Sequence, residues 1–442
     1  MTAATANGER QPRRVFGFWM CLALVVGNMI GSGFYLLPAS LAGFGWNGVF
    51  GWLMTIAGAL CVAIVFGALA LSFPRAGGPY AFSREAFGPF IGFLVAWSYW
   101  ISLWVGNVAI ATGVVAPLAT ILPAVERHSV IVTCGLVWGL TTIACIDARL
   151  VGRVQVTVTI LKFLPLAAVV VLAVIVLTGS EGPALPPVEP AGIRFGGDTG
   201  IAAAAAITLW AFLGLESATV PAERVAGGGR TILRATIVGT ALTGLIYLFA
   251  ASSVSLLMPA DTLAGSGAPL ADFVRPHWGD TAALAITVSA AVSAFGALNG
   301  WILLQGEMPW AMARDGVFPK WLATTTRRGT PLRAHLLSSS LLTTVLVLNQ
   351  TRTLANLFTF LVLLATLASL LPYFVCALAA LKLQRQHRMP ATAWLAGAAF
   401  LAALYAAWAI WGSGLETIGW GLLLLVLGVP VYFTMRFAER AR

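Results

Sequence analysis

The chain has 442 residues, of which 59% are hydrophobic and 10% are charged, and its formal net charge is +10. Its mean hydropathy of +0.90 lies far above that of water-soluble domains, which excludes an ordinary soluble enzyme or binding module. The composition instead predicts an all-α integral membrane protein. The four histidines and five cysteines are scattered along the chain, so we predict no metal site, no disulfide framework and no cofactor.

Twelve stretches are apolar and long enough to cross a bilayer as helices, and we number them as spans one to twelve in chain order. Their predicted bounds are 15–38, 46–72, 86–122, 130–147, 153–178, 197–220, 231–257, 280–311, 334–349, 353–382, 390–412 and 415–436. The polar residues 1–14 carry no cleavage site and are interpreted as a retained tail, not as a signal peptide.

The basic residues are distributed unevenly between the loops. With the N-terminus inside, 21 of the 26 Lys and Arg residues lie on the cytoplasmic side, four lie outside, and Lys162 lies within a span. The positive-inside rule therefore predicts that both termini are cytoplasmic. The net positive charge is interpreted as a topology signal, and no nucleic-acid partner is predicted.

Span one contains a cluster of small residues, Gly27, Gly31, Ser32 and Gly33, in the middle of an apolar run. Such a cluster predicts a broken helix, and the backbone groups released there must face protein, a watery cavity or a ligand. A broken helix in mid-membrane is a candidate binding site. The alternative is that Gly27 and Gly31 form a GxxxG face for close helix packing.

Spans three and five each carry polar residues that should face the interior of the bundle. In span three, Tyr99, Ser102 and Gly106 share one helical face, and Asn107 lies close to it. In span five, Lys162 lies too deep to reach the cytoplasmic surface easily. This lysine is either a structural cation that donates to unwound carbonyls or a group that titrates during function, and both interpretations stay open.

Span six resembles span one in its interruption. Gly214, Glu216 and Pro221 follow one another closely, and Glu216 is the only acidic residue placed well inside a span. An intramembrane carboxylate is a functional candidate by default, although it could also cap a helix end or pair with a neighbour.

The two interruptions lie five spans apart, and an odd offset inverts the second unit relative to the first. This arrangement predicts two inverted five-helix repeats whose discontinuous helices one and six meet at the bilayer midplane. The predicted organisation is a tail at 1–14, a first repeat at 15–178, a second repeat at 197–382, two appended helices at 390–436 and a tail at 437–442.

Five motifs, in this order, resemble the amino acid, polyamine and organocation transporter superfamily, nearest its bacterial arginine/agmatine-type basic amino acid antiporters. They are Gly27–Gly33, Pro74–Tyr80, Tyr99-Trp100 with Asn107, Trp210 with Glu216, and Arg314–Pro319. The resemblance covers almost the whole chain. It implies a LeuT-like fold of five plus five inverted-repeat helices with two extra helices, often as a homodimer, that exchanges substrates by alternating access.

The resemblance also implies site residues. Ile30, Ser32 and Gly33 match the unwound backbone that binds the carboxylate and amino groups of the substrate. Further substrate-side candidates are Tyr99, Ser102, Asn107, Trp210, Leu213 and Trp301, and Glu216 matches the gating or proton-sensitive carboxylate. Lys162 stands where the antiporter has an apolar residue but where proton-coupled members of the superfamily carry a lysine.

The leading hypothesis is therefore a secondary transporter of basic amino acids or their decarboxylated amines in the plasma (inner) membrane. The alternative is a proton-coupled carrier of neutral amino acids, in which Glu216 or Lys162 handles only the proton. An ion channel would need a continuous polar lining or charged rings, and an enzyme would need a nucleophile with a base or a metal set. The sequence carries neither pattern. The predicted partners are a small amino acid or amine, protons and the lipid bilayer.

Overall fold

The computed structural model describes residues 14–179, 185–197, 199–266, 268–348, 354–412 and 415–440. Within these ranges the chain is all-helical and forms no β-strand; the only ladder contact described is one isolated bridge between Phe16 and Val225. The predicted all-α class is confirmed.

Sixteen α-helices follow one another in the described ranges. They are α1 (Phe18–Met29), α2 (Ser32–Ser40), α3 (Trp46–Ser72), α4 (Pro79–Phe87), α5 (Pro89–Ile121), α6 (Pro123–Arg127), α7 (Ser129–Ile146), α8 (Ala148–Thr178), α9 (Ile201–Leu209), α10 (Gly228–Leu257), α11 (Ala260–Ala264), α12 (Pro269–Arg314), α13 (Leu332–Leu348), α14 (Leu354–Arg385), α15 (Ala393–Gly412) and α16 (Leu415–Arg440).

Nine helices in the described ranges are long and apolar enough to cross a membrane, and shorter apolar helices occur at Phe18–Met29, Ile201–Phe212 and Leu332–Leu348. The protein is thus a multi-pass membrane protein. The bounds of α3 agree with those predicted for span two. Elsewhere local sequence moves a boundary, as where Gly88, with φ at 85°, and Pro89 at the first helical position separate α4 from α5.

Spans one and six are both interrupted. In span one, α1 ends at Met29 and α2 begins at Ser32, so that only two residues separate the helices. In span six, α9 continues into a 3₁₀ turn at Trp210–Phe212, but turns follow and no helix resumes before Ala222. This second interruption is longer than the first, and it contains Gly214, whose positive φ of 104° is incompatible with a continuing α-helix.

The interrupted span one lies at the centre of the bundle. α1 packs against α8, α10 and α12, while α2 packs against α10 and α12. Small residues allow neighbouring helices to approach closely, since a Cβ added at Gly229 of α10 would lie 2.5 Å from the Ala70 carbonyl oxygen of α3. This close packing fixes the long helices around the two interruptions.

We predict that Gly229→Ala lowers the stability of the α3–α10 contact. The new methyl group would meet backbone atoms, which cannot rotate away, and overpacking of this kind costs about 1–3 kcal/mol. The matched control is Gly397→Ala in α15, where a Cβ meets nothing within 4 Å. Thermal unfolding of the purified variants in detergent measures the difference, and equal melting temperatures for both variants would contradict the prediction.

Candidate functional site

The interruption of span one releases backbone groups at its two central residues. Ile30 has φ and ψ of −79° and 89°, and Gly31 has −118° and −167°, so neither continues the helix. Ile30 is fully buried. Its carbonyl oxygen and that of Gly27 therefore need partners inside the protein.

Lys162 of α8 supplies these partners. Its ammonium donates to the carbonyl oxygens of Gly27 and Ile30, with both N···O distances at 2.6 Å, and the lysine side chain is fully buried. The Ser293 hydroxyl of α12 also donates to the Ile30 carbonyl, at 3.1 Å. The lysine thus points into the bundle, as the sequence predicted, and it joins α8 to the interruption of span one.

The interruption of span six places Glu216 in a fully buried position. The Tyr99 hydroxyl of α5 donates to one carboxylate oxygen at 2.6 Å, and the Tyr373 hydroxyl of α14 donates to the other. Glu216 was predicted to be the only acidic residue well inside a span, but Glu307 near the end of span eight is buried as well. Glu216 therefore joins the segment after span six to two other helices.

Asn28 brings the two interruptions together. Its side-chain amide donates to the Ser217 hydroxyl at 2.7 Å, and its backbone carbonyl oxygen accepts from the Trp301 indole at 3.2 Å. On its other side lies Gln155 of α8, whose own side-chain oxygen accepts from Asn299 of α12 at 2.9 Å. This buried polar network ties span one, span six, α8 and α12 to one another.

A cavity lies between the two interruptions. Its lining consists of Asn28, Met29, Gly31, Phe34, Gly106, Ile110, Trp210, Ala211, Leu213, Ala297 and Trp301. The volume is about 20 Å³, and because about 10–15 Å³ suffices for one water molecule, an amino acid requires side chains to move before it can enter. The lining is apolar and aromatic except for Asn28 and the backbone.

The predicted site residues fall into two groups. Trp210, Leu213 and Trp301 line the cavity together with the interruption of span one. Ser32 and Gly33 are the first residues of α2, but what surrounds their side-chain positions lies outside the described part.

The three candidates of α5 lie outside the lining of this cavity. Tyr99 holds Glu216, Ser102 donates to the Tyr99 carbonyl oxygen at 2.7 Å, and the Asn107 amide donates to Gln305 at 2.8 Å. The residues that sequence reasoning missed are Gln155 and Asn299. A signal existed for Gln155, since it shares a helical face with Thr159 and Lys162 of span five.

The sequence matches a known family over most of its length. A profile described as "Amino acid permease" covers residues 16–433. The chain belongs to the amino acid permease family.

Curated relatives of this permease carry the names of antiporters or transporters. This chain is 33% identical over 396 residues to a putative arginine/ornithine antiporter of Bacillus subtilis (strain 168), and the match covers 83% of this chain and 84% of the relative. It is 32% identical to a cadaverine/lysine antiporter of Escherichia coli (strain K12), with 81% of each chain covered. It is 27% identical to the putrescine transporter PotE of the same strain, with 92% and 93% covered.

Charged residues of this permease pair at the end of the bundle that the sequence predicts to be cytoplasmic. Arg224, which is buried, contacts Glu307 at 2.8 Å, and Arg84 of α4 pairs with Asp315 after α12. Arg314 binds Glu223 through two hydrogen bonds of 2.5 and 2.6 Å. These pairs connect α4, the segment after span six and α12 beneath the cavity.

The Glu223 pair gives a pH-dependent contribution to stability. Burial alone would raise the pKa of the Glu223 carboxyl, but the hydrogen bonds and positive charge of Arg314 outweigh burial and lower that pKa below its usual value. A lowered pKa in the folded state means that the contribution is present above the unfolded pKa and is lost as the pH falls through the folded value.

We therefore predict that Glu223→Gln lowers the melting temperature near neutral pH, and that the difference from the parent shrinks below about pH 4. Thermal unfolding between pH 3 and 8 measures it, over values chosen to bracket the usual carboxyl pKa of about 4.3. The control is Glu189→Gln, which alters an exposed carboxylate of the loop before α9. A difference between Glu223→Gln and parent that persists unchanged at the acid end would contradict the assignment.

Proposed function

We propose that this permease is a secondary transporter that exchanges basic amino acids and their decarboxylated amines by alternating access. The observation that carries the proposal is the cavity at which the interruptions of spans one and six meet, lined by Trp210 and Trp301. The names of the relatives agree with it: a putative arginine/ornithine antiporter, a cadaverine/lysine antiporter and a putrescine transporter.

The two interruptions offer complementary backbone ends to an amino acid. The first N–H groups of α2, at Ser32 and Gly33, have no partner within the helix and carry the positive end of its dipole, which suits a carboxylate. The last carbonyls of the helical part of span six, near Ala211 and Leu213, suit an ammonium group. One site of this kind binds both ends of the substrate with backbone atoms.

The lining selects a cationic side chain through its aromatic rings. No carboxylate is among the described residues that line the cavity, and Glu216 is held by two tyrosines outside that lining. Trp210 and Trp301 can place their ring faces against a cation, an attraction of about 0.5–2 kcal/mol each. A contact of this strength binds a cation without trapping it, which suits exchange.

The proposed architecture has twelve spans with both termini in the cytoplasm of an inner membrane. Residues 15–178 and 197–382 form the two inverted repeats, with span one and span six as the corresponding discontinuous helices. The appended helices at 390–436 expose apolar side chains such as Val426 and Leu427, and a homodimer contact through them is part of the proposal. The described cavity is too small for substrate, and in the proposed cycle the two repeats move relative to each other to open it.

A second candidate function is favoured by Lys162. An ammonium that bonds the carbonyls of Gly27 and Ile30 holds span one as a bound cation would, and loss of its proton would weaken both hydrogen bonds by removing the charge that strengthens them. A proton-coupled carrier of neutral amino acids could use this exchange of contacts. Counterflow in proteoliposomes with a panel of amino acids and amines, with and without a pH gradient, separates the two functions.

We predict that Trp210→Ala raises the KM for a basic amino acid by about 2- to 30-fold, the loss expected from one cation–π contact. Trp210→Phe should retain part of the affinity, since it keeps an aromatic face. The control is Trp411→Ala, which removes an exposed tryptophan of α15. Substrate counterflow measures all three variants, and an unchanged KM in Trp210→Ala would remove this residue from the site.

We predict that Lys162→Ala abolishes stimulation of uptake by a proton gradient while substrate binding stays measurable. The physical reason is that, among the described contacts, the ammonium is the only side-chain donor to the Gly27 carbonyl and the only charged donor to the Ile30 carbonyl, which the Ser293 hydroxyl also bonds. Glu216→Gln is the comparison: if Glu216 is the proton-sensitive group, that variant and not Lys162→Ala loses its pH dependence. Uptake, binding and melting temperature are measured together, and proton-stimulated uptake that survives in Lys162→Ala would exclude its coupling role.

A further inference from the structure

A second cavity lies away from the transport site, at the predicted cytoplasmic end of α8. Its lining consists of Val15, Asp147, Ala148, Arg149, Arg224 and Arg328. The volume is about 70 Å³, several times the roughly 10–15 Å³ that one water molecule needs. A group the size of a phosphate can therefore be accommodated.

Three arginine residues from three separate segments line this cavity. Arg149 lies in the first turn of α8, Arg224 in the 3₁₀ turn after span six, and Arg328 in the loop before α13. Asp147 is the one acidic residue of the lining, and its carboxylate already accepts the Arg149 backbone N–H at 2.9 Å. With Glu307, which pairs with Arg224, included, three arginines and two carboxylates leave one net positive charge at the cavity, which favours a bound anion.

Arg224 is held in place independently of any ligand. It is buried, it binds Glu307, and it donates to the Gly329 carbonyl oxygen at 2.5 Å. Arg149 and Arg328, in contrast, are exposed, and the Arg328 guanidinium makes a long 3.4 Å hydrogen bond to the Ile146 carbonyl oxygen, so both side chains can adjust to a ligand. The N-terminus of α8 lies here as well, with its Arg149 N–H already capped by the Asp147 carboxylate. One rigid buried arginine and two adjustable ones have the chemistry that suits a phosphate group.

The surroundings of the cavity indicate what carries the phosphate. Ile146 and Leu150, which flank the lining residues in sequence, are 46% and 38% exposed, and Leu164 further along α8 is 65% exposed. These side chains continue the apolar outer surface of α7 and α8 up to the cavity. We propose that the cavity binds the phosphate of an anionic membrane phospholipid whose acyl chains lie against this surface.

Such a lipid would contact the segment just before α1 and the segment just after span six. The backbone N–H groups of Val15 and Phe16, just before α1, donate to the Arg224 carbonyl oxygen at 2.8 and 3.0 Å, and Ala226 donates back to Phe16. α8 begins in the same cavity and carries Lys162 to the interruption of span one. The bound phosphate therefore stabilises the arrangement of span one, the segment after span six and α8.

The test compares melting temperatures of delipidated protein in detergent with added phosphatidylglycerol or phosphatidylcholine. We expect phosphatidylglycerol, and not phosphatidylcholine, to raise the melting temperature of the parent by several degrees, and we expect Arg149→Gln/Arg328→Gln to lose this shift. Arg385→Gln, which changes an exposed arginine of α14 outside the cavity, should keep it. If the double variant fails to fold, the two single variants replace it, and we expect phosphatidylglycerol to raise the melting temperature of each by less than that of the parent.

Native mass spectrometry of the same samples counts bound phosphatidylglycerol, and we expect one tightly held lipid fewer in the double variant than in Arg385→Gln. An equal shift and equal lipid retention in the double variant would overturn the site. Inorganic phosphate is added in a separate arm without lipid. Full stabilisation by inorganic phosphate, with no further shift on adding phosphatidylglycerol, would overturn the lipid as the source of the phosphate.

Discussion

The structure depends on how the backbone carbonyls at the interruption of span one are satisfied. Within a bilayer no water is at hand to replace a lost helical hydrogen bond, so an open carbonyl there costs several kcal/mol. The Lys162 ammonium donates hydrogen bonds to two of these carbonyls at once, those of Gly27 and Ile30. Together with the Ser293 hydroxyl at the Ile30 carbonyl, this side chain satisfies the interruption, and it also fixes the position of α8 against span one.

The glycines of this region permit both close helix packing and the broken helix, which the sequence analysis had treated as alternatives. A Cβ at Gly27 would lie 2.0 Å from the Gln155 amide nitrogen, so Gly27 permits close packing of α1 on α8. Gly31 lies within the interruption itself. A Cβ at Gly300 of α12 would lie 1.8 Å from the Asn28 side-chain oxygen, so this glycine makes room for the residue that joins spans one and six. Close packing and the broken helix therefore support each other.

The sequence alone predicted those features that depend on residues close together in the chain. The bounds of α3, the two interruptions and the inward direction of Lys162 follow from apolar length, glycine clusters and depth in the membrane. The partners of polar residues did not follow, because they lie far apart in sequence: Tyr99 and Tyr373 meet Glu216 from 117 and 157 residues away. The resemblance assigned Asn107 to the substrate, and the structure gives its amide a partner in Gln305 across a separation of 198 residues.

In the proposed exchange, backbone groups bind one end of the substrate and aromatic rings bind the other, so an amino acid and its amine use the site differently. A basic amino acid would use the N–H groups of α2 for its carboxylate and the face of Trp210 for its distal cation. The amine formed by decarboxylation keeps the cation but has no carboxylate, so it leaves the N–H groups of Ser32 and Gly33 to water or to the next substrate. Because unpaired donors in a closed cavity are costly, the amine should bind more weakly than the amino acid in this conformation. Exchange of the two is then driven by their gradients, with the site itself favouring the amino acid.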